Sequence, residues 1–143
     1  IEQLREEMSG IYGGGMYGTI TKRPYNHYTL SASFPCGPEN ADKLIKALFD
    51  LMKNIKEKGV DQKDLDKVKE TWRKQNEEKM KENDHWLSSL SYAWIEKDDP
   101  QWILDYEKKV EGLTTKDIQD AAKKYFNMQN YLKAVLYPEK KQM

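Results

Sequence analysis

Two side chains near the start of this 143-residue chain combine residue types and a spacing that can do chemistry. Arg5 lies in a helix-like stretch that stops at Gly10, and Tyr12 lies just past the stop. A fixed guanidinium and a phenol seven residues apart can converge on one side of such a junction. Both donate hydrogen bonds, so together they suit recognition of a carbonyl oxygen that turns into an oxyanion. The same residues also read as a surface arginine and a sheet-packed tyrosine, and composition alone leaves both readings open.

Other chemistry is thinly represented. The motifs HExxH, HxxEH, CxxC, GxSxG and GxxxxGK do not occur in the sequence. Gly13-x-Gly15-x-x-Gly18 matches the dinucleotide fingerprint as a string, and Glu39 follows at about the 20-residue distance of the ribose-binding acid. That loop needs a strand before it and a helix after it. Here a helix precedes and the β-like Thr19-Ile20-Thr21 follows, so the glycines read as places where a strand bends or admits another backbone. His27 sits near a turn with Tyr25 and Tyr28, and His85 begins a helix; both read as exposed or partly packed imidazoles. The single cysteine, Cys36, excludes an intrachain disulfide and a cysteine-based zinc site, and reads as a small hydrophobe.

The elements that would position these residues follow from periodicity. Residues 1–9 read as the last turns of a helix, with Leu4 and Met8 on one face. A hairpin over 11–36 follows. Its first strand is weakened by glycine; in its second, Tyr28, Leu30, Ala32, Phe34 and Cys36 alternate with polar residues. A helical block over 39–127 contains four or five helices. Ala41, Leu44, Ile45, Leu48, Leu51, Met52 and Ile55 form the stripe of the first, and Gly59 closes it. Asp61 is placed to cap the second and Asp84 the third, which carries Trp86, Leu90, Ala93 and Trp94 on one side. Asp99-Pro100 opens a fourth that ends near Gly112, and Thr114-x-x-Asp117 is a capping-box-like start for the fifth. A closing strand over 131–137 stops at Pro138. Helix end, hairpin, helical block and strand make an α+β fold and a single partial domain over 1–143, for which the uncapped opening helix predicts missing sequence upstream.

Lys+Arg and Asp+Glu both number 24, so no net-basic surface for nucleic acid is expected. With 34% charged residues and no apolar run near the ~20 residues of a bilayer span, no membrane span is expected either.

Leu4-Arg5-Glu6-x-x-Ser9-Gly10-x-Tyr12-Gly13 resembles the arginine–tyrosine segment in the C-terminal half of insulinase/pitrilysin-family zinc peptidases. Phe34-x-Cys36-x-Pro38-Glu39-Asn40-x-x-Lys43-Leu44 is similar to the next stretch in their bacterial, periplasmic, coenzyme-PQQ-type branch. The resemblance implies a mitochondrial-processing-peptidase-like metallohydrolase domain, truncated at its N-terminal side, with an antiparallel sheet and helices mainly on one face. It implies a zinc-dependent endopeptidase acting on peptides or unfolded segments, in which an N-terminal half, in cis or in trans, holds the zinc through an HxxEH motif. On that resemblance Arg5 orients the peptide carbonyl and Tyr12 hydrogen-bonds the developing oxyanion. With no HxxEH in the sequence, the resemblance further implies that this chain holds no zinc of its own and is inert alone. Its localisation by resemblance is periplasmic. Some members of the family have lost the metal motif, so a non-catalytic scaffold or partner subunit is the alternative.

Overall fold

The computed structural model describes residues 13–137. Among these the fold is α+β, with a two-stranded antiparallel sheet and five α-helices. The chain divides into two compact units, one built from residues up to Lys53 together with those from Asn127, the other from Asn54–Phe126.

In the first unit, β1 (Gly15–Thr21) and β2 (His27–Ser33) form a hairpin in unbroken register, from Gly15 opposite Ser33 to Thr21 opposite His27. The second strand stops short of the expected Cys36. Pro35 has no N–H to give to a ladder, so pairing ends before it. Phe34 and Cys36 instead pack on α1 (Ala41–Lys58), which a short 3-10 turn over Pro38–Asn40 introduces. Leu44 is the fully buried centre of this cluster, joined by Leu48 and Leu51 from the expected stripe and by Ala47, which lay outside it.

The closing strand expected over 131–137 is not formed: the segment has no regular secondary structure. Among the described residues β1 and β2 pair only with each other. Side chains hold the segment to α1 instead, through the Tyr131 ring 4.8 Å from that of Phe49 and Lys133 Nζ 2.5 Å from Asp42 Oδ1. The helix end expected over 1–9 lies outside the described residues.

The second unit contains α2 (Gln62–Lys79), α3 (Asn83–Glu96), a 3-10 turn over Pro100–Ile103, α4 (Tyr106–Gly112) and α5 (Thr115–Tyr125). Helix α2 packs against α4, and α3 against the 3-10 turn. Asp61 precedes α2 as expected, but only its carbonyl takes part, accepting from the Asp64 and Leu65 amides. Asp84 does not cap α3; the helix starts a residue earlier, which puts Asp84 in its first turn. The helix expected from Asp99-Pro100 is split. Asp99 accepts from the Gln101 amide and starts a 3-10 turn, and α4 begins only at Tyr106. The Thr114–Asp117 capping box is present in both arms.

Candidate functional site

Arg5 and Tyr12 lie outside the described residues. What is described is the glycine segment that follows them. Gly14 has a φ of +127°, and a Cβ there would lie 2.6 Å from Ser33 O and 2.8 Å from Phe34 Cβ. This is the close backbone approach that the glycine run suggested, and only a residue without a side chain admits it. Strand β1 begins at Gly15, directly after, so no helix N-terminus faces the loop. The dinucleotide reading thereby loses the geometry that binds pyrophosphate.

His27 is exposed at the start of β2; its Nδ1 lies 3.0 Å from Tyr25 O and its ring 5.1 Å from that of Tyr25. Cys36 is a free, half-buried thiol in the Leu44 cluster. Among the described residues no group of three His, Cys, Asp or Glu side chains is placed to hold a metal ion. The described residues therefore do not fit a zinc site.

One constellation in the helical unit was not visible in the sequence. Trp72, Gln75, Asn76 and Lys79 project from α2 toward a cleft of about 100 Å³ that His85 of α3 also lines. The 3-10 turn contributes Trp102 and Ile103, and α4 contributes Tyr106. His85 Nε2 and Trp102 Nε1 are both buried without a hydrogen-bond partner. The positions span α2 to α4, so no short motif announced them. The signals were single residues, the aromatic Trp72 in a charge-rich helix and His85 at a helix start.

Residues 1–71 match the family described as the Peptidase M16 inactive domain. No curated protein matches the chain. Among solved structures the chain is similar to the periplasmic protease PqqL from Escherichia coli, at 21% identity and a TM-score of 0.67 over 87% of this chain. It is similar to a protease from Helicobacter pylori at 17% identity and a TM-score of 0.72, again over 87% of this chain. The inactive peptidase domain of a Bordetella parapertussis protein described as a zinc protease matches 90% of the chain at 17% identity and a TM-score of 0.64. The chain spans 14%, 30% and 71% of those three structures respectively. At such identities the likeness is one of fold. Through residues 1–71, then, the chain belongs to the M16 peptidase family as its inactive domain, the type of domain that the resemblance to insulinase/pitrilysin peptidases implies.

Proposed function

We propose that this chain is the substrate-binding C-terminal-half domain of a zinc-dependent endopeptidase that cleaves peptides or unfolded segments in the periplasm. Arg5 and Tyr12 serve a site whose zinc is held by another domain, in cis or in trans. The observation that carries this reading is the family match over residues 1–71, which includes both side chains. The fold similarity to a periplasmic protease supports the localisation. In this reading the chain is a single partial domain. The Arg5 guanidinium orients the scissile carbonyl, and the Tyr12 hydroxyl donates a hydrogen bond to its oxygen as charge develops there.

Splitting the substrate contacts from the rest of the site makes reaction wait until both walls enclose the peptide and expel water. Kinetics of the complete enzyme on a peptide substrate test the assignment. Tyr12→Phe is expected to lower kcat by roughly 10–10³-fold, the upper end being typical of a lost oxyanion donor. Arg5→Ala is expected mainly to raise KM, as loss of binding common to ground and transition states does. The scaffold reading would follow if both variants left peptide cleavage unchanged.

A further inference from the structure

We propose that the outward face of α3 is the seam of a twofold dimer of this chain. The helix is apolar on both sides. Ser89 and Ala93 are buried on its inner side, while Trp94 on the outer side exposes 86% of its surface. Leu87, Leu90 and Ile95 extend that outer strip, each about half exposed or more. No Asp, Glu, Lys or Arg occurs between Asp84 and Glu96, in a chain of which 34% is charged. A solvent-facing helix side ordinarily carries charge, as α2 does with its exposed Glu70–Lys74 pair. One that stays apolar over its whole length marks a contact surface.

The layout of the strip selects a second copy as its occupant. A twofold contact needs a patch that complements itself after rotation. On the helix surface Leu87 and Trp94 lie along the midline of the strip, each about 5 Å from the point midway between Leu90 and Ser91. An antiparallel second α3 therefore sets each Leu87 against the other copy's Trp94. Leu90 then meets its own counterpart on one flank of the seam. Ser91 meets its counterpart on the other, where two small side chains let the helix axes approach. Antiparallel pairing also opposes the two helix dipoles, and a strip without charge does not repel its own copy. The area agrees with a dimer of the weak class. Trp94 alone offers about 200 Å² and the strip on the order of 500 Å², near the upper range for a patch on a monomer. Two copies would bury about 1,000 Å² in total, the lower limit for a specific interface. The proposal does not rest on the peptidase reading.

Sedimentation velocity of the full chain over a range of concentrations tests this. Interfaces of this size are weak, so monomer is expected near about 1 µM and dimer, with no larger species, above about 100 µM. Trp94→Glu should weaken the dimer at least ~30-fold, the loss of a central aromatic anchor. It should leave the melt of the dilute protein unchanged, because the side chain is exposed. Leu87→Glu and Trp94→Lys test the register. Each variant alone should stay monomeric where the wild type dimerises, since its new charge faces an apolar side chain. Their equimolar mixture should dimerise again. The antiparallel register sets the new carboxylate against the new ammonium and keeps one native Leu87–Trp94 contact. The proposal is overturned by monomer at every concentration, by growth beyond a dimer, by an undiminished dimer in Trp94→Glu, or by a mixture that remains monomeric.

Discussion

Gly59 and Lys97 occupy the same kind of place, one residue past a helix end with a left-handed backbone, and only one of them is glycine. Gly59 has φ +79° and its N–H donates to Ile55 O at 2.9 Å. Lys97 has φ +56°; its N–H reaches Trp94 O at 3.3 Å and the next amide, of Asp98, reaches Ala93 O at 2.9 Å, a Schellman closure of α3. A side chain in this conformation costs roughly 1–2 kcal/mol. Gly59→Ala should therefore destabilise the protein by about 1 kcal/mol. The cost lies in the backbone, since the added methyl would meet Gln119 at an ordinary 3.8 Å. Lys97→Gly should stabilise it by about 0.5–1 kcal/mol, less than the full strain because glycine also loosens the unfolded chain. Urea midpoints at constant slope measure both, and a loss of stability in Lys97→Gly would contradict the strain argument. The end at Gly59 was legible because glycine announces it. The end at Lys97 was not, because lysine carries no such signal and the closing hydrogen bonds are all backbone. The chemistry of Arg5 and Tyr12 was legible only through the family resemblance, since spacing alone suits a packed surface equally well.

At the scale of elements, the start of α5 shows local sequence and structure in full agreement. The Asp117 amide donates to Thr114 Oγ1 at 3.2 Å, while the Thr114 amide and hydroxyl donate to Asp117 Oδ2 at 2.8 and 2.6 Å. The Thr114 hydroxyl, and then its amide, hold the Asp117 carboxyl below its ordinary value. A carboxylate whose pKa is lowered by folding adds stability above its unfolded value, and that stability is lost as pH falls through the folded one. Thermal melts of wild type and Asp117→Asn should thus differ most at neutral pH and converge in acid; a gap that widens in acid would refute the assignment.

Helix α3 was read less well. Periodicity groups residues onto a face but does not say which face meets the core. The small Ser89 and Ala93 are buried, whereas Leu90 and Trp94, grouped with Ala93 by the sequence pattern, are 48% and 86% exposed. Leu87, at 68% exposure, extends that outer strip. Trp94→Gln should change stability by less than about 0.5 kcal/mol, as surface substitutions usually do, and should reduce binding of a hydrophobic dye. A large drop in the melting temperature would show that Trp94 packs more closely than its exposure indicates. Residues 131–137 carry strand-forming residues, yet a strand exists only when a neighbour accepts its hydrogen bonds, and that partner is not written in the segment itself.

At the scale of the whole molecule, the matched family segment over 1–71 runs across the boundary between the two units near Lys53, so a family unit and a packing unit do not coincide. The helical unit is tied at its own base. Lys56 Nζ donates to Phe126 O at 2.9 Å, and Gln119 Nε2 reaches the carbonyls of Lys56 and Glu57 at 3.2 and 2.9 Å. A length of polypeptide that sets out and comes back at one point can be excised without leaving a gap for a linker to span. Expressed by itself, 54–126 should show a cooperative melt by circular dichroism, and a gradual, non-cooperative loss of helix would mean that it borrows its stability from the remainder. The knot of three hydrogen bonds thus makes the helical part a removable cassette, open to grafting or replacement in the gene while the hairpin and the part of α1 up to Lys53 are rejoined to Asn127 by a few flexible residues.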